Sequence, residues 1–182
     1  PVADPGAVPS PGRALVTIWR SGPLRRTLGL TVVVAFSVAA LPIYAVALAP
    51  TLGGAALAGT LVAGYGVGNL VGSALLMIWP LRGDADKLTA LLAAAVAITL
   101  AVVLPMPNLT TALIAFTVAG VANALFFAAT LAARSECAPA EARGQVFIWV
   151  GALKIAAGSA GTATAGALIG GTVWLPVAAV AA

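Results

Sequence analysis

No charged residue occurs in residues 27–81, which read TLGLTVVVAFSVAALPIYAVALAPTLGGAALAGTLVAGYGVGNLVGSALLMIWPL. One helix needs about 20 residues to cross the hydrocarbon layer of a bilayer, so this stretch is long enough for two. The sequence APTLGG at residues 49–54 has the proline and glycine content of a turn. Residues 27–49 and 55–79 are therefore predicted to form two membrane-spanning helices joined by a short hairpin. Neither half has a periodic polar face, which argues against a large soluble helical core.

The composition of the whole chain agrees with a polytopic membrane protein. Only 8% of its residues are charged, and 62% are hydrophobic, whereas a soluble domain has about 25% charged residues. The chain has no histidine, and its one cysteine, Cys137, excludes an intrachain disulfide framework. We predict no metal site, no cofactor and no catalytic residues, because every acidic residue lies in a tail or a loop rather than beside a nucleophile. These acids are Asp4, Asp84, Asp86, Glu136 and Glu141.

Further apolar segments complete an all-α bundle of six predicted spans. The third, fourth and fifth spans are predicted at residues 88–104, 109–133 and 144–170, and a sixth begins near residue 172. Only eleven residues remain for the sixth span, so it is expected to be cut at residue 182. Residues 1–26 are predicted to be a linker with a short amphipathic helix at residues 12–26.

The basic residues divide unevenly between the two sides of this bundle. Eight of the nine lie before the first span, between the second and third, or between the fourth and fifth. These are Arg13, Arg20, Arg25, Arg26, Arg82, Lys87, Arg134 and Arg143. By the positive-inside rule that side is cytoplasmic, so we predict a multi-pass protein of the cell membrane with its N-terminus inside. Basic loops also account for the net charge of +4 without nucleic acid as a partner.

Lys154 is the ninth basic residue and the one charge predicted inside a span. Burying a lysine at mid-membrane costs on the order of 3 kcal/mol, and such residues usually face a cavity or a partner. The alternative is a lysine whose long side chain snorkels to the cytoplasmic surface.

Other polar and aromatic residues indicate a candidate substrate path. In the fourth span, Phe116, Asn123 and Phe127 share one helix face at steps of seven and four residues. In the first span, Ser37 and Tyr44 lie seven residues apart with Pro42 between them as a predicted kink. Together with Lys154 they either line an amphipathic cavity or pack against neighbouring helices.

Two stripes of small residues lie in the second and fifth spans. They consist of Gly64, Gly68 and Gly72, and of Gly158, Gly166 and Gly170. Small residues at this spacing let another helix cross closely, either as a rocking contact or as static packing. The two stripes occupy corresponding positions if spans one to three and four to six are inverted repeats.

The chain resembles the C-terminal half of a major facilitator superfamily transporter. The local match is Arg134, Pro139, Arg143 and Gly144, which is similar to that family's cytoplasmic loop between its tenth and eleventh helices. The resemblance implies a half built from 3+3 inverted repeats. It also implies that the first and fourth helices line the substrate path, and that the second and fifth, with their glycine stripes, meet a missing N-terminal six-helix half.

The resemblance further implies alternating access, with the lipid bilayer, the other half and a small-molecule substrate as partners. The mostly apolar candidate path favours a hydrophobic or amphipathic solute, and efflux and import both stay open as the direction. If protons drive transport, their acidic carrier is expected in the missing half, since no span of this chain carries a carboxylate. The alternative is a membrane scaffold or subunit that does not transport and packs against another membrane protein.

Overall fold

The computed structural model describes residue 16, residues 18–140 and residues 142–169. Within those residues the chain is all-helical, with no strand. The helices are α1 (Gly22–Val38), α2 (Leu41–Leu48), a 3-10 helix (Ala49–Leu52), α3 (Leu57–Ile78), α4 (Ala85–Val103), α5 (Leu109–Cys137) and α6 (Arg143–Leu168).

Five helical segments in the described part of the chain are long and apolar enough to cross a membrane. They correspond to the first five predicted spans, with α1, α2 and the 3-10 helix forming one segment from Gly22 to Leu52. The predicted sixth span, residues 172–182, and the predicted linker up to residue 15 lie outside the described residues. Of the predicted amphipathic helix, residues 18–20 are helical, with Ile18 buried and Trp19 exposed.

Two breaks in the first segment follow from its prolines and glycines. The helix is interrupted at residues 39 and 40, just before Pro42, which has no N–H to continue the hydrogen-bond ladder. The second break is the predicted hairpin, where Gly53 adopts a φ of 125°. Only glycine takes up that backbone conformation without a steric penalty, so the chain reverses there and enters α3.

Helix α5 is the centre of the bundle. It packs against α3, α4 and α1, and more lightly against α6. Its inward positions are mostly alanine, with Phe116 and Phe126 as the large buried side chains. Small inward residues allow three neighbouring helices to approach one central helix, which explains how so long a helix is half buried.

The first glycine stripe lies at the crossing of α3 and α5. Gly64, Gly68 and Gly72 are all buried there. A Cβ added to Gly68 would overlap the backbone carbonyl of Thr117, and one added to Gly120 would lie 2.9 Å from the backbone nitrogen of Asn69. The expectation that this stripe meets a missing half is therefore corrected. Its close contact is with a helix of the same bundle, because α5 offers its own small residue at the crossing point.

A similar crossing joins α6 to α1. A Cβ at Gly161 would overlap the backbone of Phe36, and the Thr162 hydroxyl donates a hydrogen bond of 3.1 Å to the Ala39 carbonyl. In the predicted second stripe, a Cβ added to Gly158 would lie 3.8 Å from the Cβ of Ala39. Gly166 is exposed, and a Cβ added there would meet no atom within 4 Å. Gly170 lies outside the described residues. Gly161, which lies between the predicted positions, is the glycine that the crossing requires.

Candidate functional site

A cavity of about 280 Å³ lies between α1, α3, α5 and α6. Three of the six predicted path residues, Asn123, Phe127 and Lys154, line it together. The other lining residues are Thr31, Val34, Ala35, Val38, Ala39, Tyr65, Phe126 and Gly158. The walls are thus mostly apolar, with polar side chains contributed by all four helices, Thr31 being the one from α1.

Lys154 is half-buried in this cavity, on the side of α6 that faces the bundle. Its Nζ atom lies 4.0 Å from the centroid of the Phe127 ring. Lys154 is eleven residues from the first residue of α6, which places it about 16 Å along the helix. A cation–π contact of this kind is worth about 0.5 to 2 kcal/mol, so it offsets only part of the cost of burying the ammonium in a membrane.

A second cation–aromatic pair repeats the contact between the same two helices. The guanidinium carbon of Arg134 lies 5.2 Å from the centroid of the Phe147 ring. Phe127 and Arg134 are seven residues apart on α5, and Phe147 and Lys154 are seven residues apart on α6. Equal spacing in opposite directions is what two antiparallel helices require, so the two pairs fix the register of α6 against α5.

An amide pair adds a polar group to the cavity, because Asn123 of α5 lines it and is held by Asn69 of α3. The Nδ2 atom of Asn123 donates to Oδ1 of Asn69 over 2.9 Å, and Nδ2 of Asn69 donates to the Tyr65 carbonyl over 3.0 Å. The sequence prediction missed Asn69 and Tyr65, both on α3. The available signal was that Asn69 is the only amide side chain in residues 55–79, and an amide within a span needs a polar partner.

The other three predicted path residues do not line this cavity. Tyr44 is buried, and its hydroxyl donates a 2.7 Å hydrogen bond to the Leu104 carbonyl at the end of α4. Phe116 is buried in the main apolar core. Ser37 lines a different cavity, between α1 and α4, and donates to the Val33 carbonyl over 2.8 Å. The expectation of one shared path is corrected for these residues, because the helix faces they occupy are taken by packing against α4 and α5.

The predicted cytoplasmic loop motif is divided between two helices and a short connection. Arg134 is buried inside α5, where its Nε donates to the Thr130 carbonyl over 2.9 Å and its Nη2 contacts the Thr130 hydroxyl at 3.0 Å. Pro139 lies in the connection, and Arg143 and Gly144 begin α6. The prediction that Arg134 opens a loop is therefore wrong. Helix α5 continues to Cys137 because the guanidinium is satisfied by its own helix and by Phe147.

The described acidic residues all lie away from the cavity. Asp84 caps the start of α4 and accepts from the backbone N–H groups of Asp86 and Lys87. Asp86 forms an ion pair with Arg26, which ties the start of α4 to the start of α1. Glu136 is exposed near the end of α5. No group of histidine, cysteine or acidic side chains within the described residues is placed to hold a metal ion.

Comparisons with protein-family models, with curated proteins and with solved structures found no match to this chain.

Proposed function

We propose that this bundle is one half of a secondary active membrane transporter, working by alternating access on a small hydrophobic or amphipathic solute. The observation that carries the proposal is the cavity that holds Lys154. A lysine and two asparagines inside an otherwise apolar bundle are costly to keep unless they meet a ligand, water or a charged partner.

The packing of the helices adds support. Helix α3 crosses α5, and α6 crosses α1, each at a glycine lying against the backbone of the other helix. If the half consisted of two inverted repeats of three spans, the second span would correspond to the fifth and the fourth span to the first. The two glycine crossings would then be the same contact in each repeat. In that arrangement the fourth helix of the half contributes Asn123 and Phe127 to the substrate path.

A cysteine placed in the cavity tests alternating access and requires no labelled substrate. Val38 lines the cavity and is partly exposed. We expect Val38→Cys, in a Cys137→Ala background of the complete open reading frame, to be modified by a membrane-impermeant thiol reagent from either side of the membrane. Ala97→Cys is the control, because Ala97 is exposed on the outer surface of the bundle at the middle of α4, where the proposed span faces lipid. Its thiol should resist modification from both sides, since a thiol in hydrocarbon stays protonated and out of reach of an impermeant reagent.

The alternative function, a scaffold or subunit without transport, makes a different prediction for the same experiment. A static bundle holds its cavity open to one side at most. Modification of Val38→Cys from one side only, or from neither, would therefore favour the scaffold and contradict alternating access.

A further inference from the structure

The cavity between α1, α3, α5 and α6 pairs one cation with apolar walls. Val34, Val38 and Phe126 supply its aliphatic and aromatic surface, and Lys154 is the one ionised side chain among its described lining residues. Its volume, about 280 Å³, lies just below the usual range of about 300 to 1,000 Å³ for small-molecule sites. The space therefore suits a small solute with an apolar body.

The charge of Lys154 is not balanced by the described part of the chain. No carboxylate there lies within ion-pair distance of its ammonium, since the one ion pair joins Arg26 to Asp86. Arg134, seven residues from Phe127 on α5, adds a second positive charge on the same helix pair. A ring face attracts a cation but does not neutralise it. The electrostatic potential at the cavity is therefore positive, which favours anions and disfavours organic cations.

Asn123 lines the same cavity as Lys154 and has a hydrogen-bond donor to spare. The structure gives the Asn123 amide nitrogen one hydrogen bond, to Asn69, and an amide NH₂ group has two N–H donors. The second N–H can therefore donate to an oxygen of a bound ligand that also contacts Lys154.

We infer that the cavity binds an amphipathic organic anion, with its carboxylate or similar head group on Lys154 and its apolar body against α1 and Phe126. The inference rests on the proposed function and names the substrate class of that same site. The same chemistry would describe the head group of an anionic phospholipid, but a cavity of this size fits a small solute better than a two-chain lipid.

Equilibrium binding of three probes with similar shapes tests whether the cavity prefers an anion. 4-Phenylbutyrate, 4-phenylbutanol and 4-phenylbutylamine are titrated against the protein in phosphatidylcholine nanodiscs, with protein-free discs as the blank. The anion should bind more tightly than the alcohol, and the amine least. Lys154→Met should weaken binding of the anion by at least about tenfold, the size expected for loss of a charge-assisted contact, and leave the alcohol unchanged.

Two further variants control for effects that do not come from the charge in the cavity. Lys87→Met is the matched control, because Lys87 is exposed at the start of α4 and does not line the cavity, so it should bind the anion like the parent. Lys154→Arg keeps the positive charge and should therefore retain most of the affinity for the anion. It also provides a second variant at this position if Lys154→Met fails to fold. Equal affinity for the three probes, or an unchanged affinity for the anion in Lys154→Met, would overturn the inference.

Replacing part of the lipid by phosphatidylglycerol distinguishes the two sources of the anion. Binding of 4-phenylbutyrate that persists in these discs supports a solute, whereas its loss would assign the site to a lipid head group and overturn the solute. The outcome is separable from that of the cysteine experiment, because binding requires no turnover. Two-sided modification of Val38→Cys without anion binding would keep the transporter and reject this substrate class, and the reverse pattern would keep the site and reject transport.

Discussion

Lys154, Asn69 and Asn123 are individually unfavourable residues for a membrane-spanning helix, and the bundle satisfies each of them only in part. Lys154 has the face of Phe127, and the two amides have each other and a backbone carbonyl. The sequence could predict that Lys154 and Asn123 face a cavity, because polar side chains avoid lipid. It could not predict Asn69 as the partner, since several polar groups compete for that role and only the crossing of α3 and α5 selects one.

The Asn69–Asn123 hydrogen bond should appear as an energetic coupling in a double-mutant cycle. Asn69→Leu, Asn123→Leu and the double variant are compared by the free energy of unfolding in mixed detergent. We expect a coupling of about 0.6 kcal/mol, the mean for hydrogen bonds between membrane helices. Asn69→Leu combined with Thr99→Val is the control, because the Thr99 hydroxyl donates to Val96 on its own helix. Purely additive effects for the asparagine pair would show that the two amides do not interact.

At the scale of the helix, residues along one side of α5 make several different kinds of contact. Phe116 lies in the core, Gly120 lies at the crossing with α3, and Asn123 and Phe127 line the cavity. Spacing by three and four residues predicted one face lining one path, but that face meets different neighbours at different heights along the helix. The same limit applies to the glycine stripes. Their spacing predicts a close helix crossing, but the identity of the crossing helix is a property of the fold.

Gly68 and Gly66 provide a matched pair for testing the crossing of α3 and α5. Gly68→Ala should destabilise the bundle by about 1 to 3 kcal/mol, the usual cost of overpacking, because its Cβ would overlap backbone rather than a movable side chain. Gly66→Ala, two residues away on the same helix, meets nothing within 4 Å and should be neutral or stabilising by up to about 1 kcal/mol, because alanine is the better helix former. The measurement is the free energy of unfolding of each variant in mixed detergent. Similar stabilities for the two variants would contradict a backbone-to-backbone contact at Gly68.

On the scale of the whole molecule, the charges of the sequence predict a bundle inserted in one orientation. The ion pair between Arg26 and Asp86 joins the starts of α1 and α4, on the side to which the sequence assigns the basic loops. The described residues contain five helices long and apolar enough to cross a membrane, where the sequence places its first five spans, because hydrophobic length is a local property. The sequence placed the end of the fourth span too early, at residue 133, because a charged residue usually marks the limit of a span. The structure shows Arg134 held within the helix instead.

The orientation itself is testable with cysteines on the two sides. Arg82 lies in the connection between α3 and α4, and Ala55 lies in the hairpin before α3. The two residues are therefore at opposite ends of α3. Cys137 is only partly accessible, so Arg82→Cys and Ala55→Cys are made in a Cys137→Ala background. An impermeant maleimide added to intact cells should modify Ala55→Cys only. Arg82→Cys should react once the cells are opened, because arginine and lysine loops remain cytoplasmic during membrane insertion. Modification of Arg82→Cys in intact cells, with Ala55→Cys protected, would reverse the topology and place the start of α1 outside.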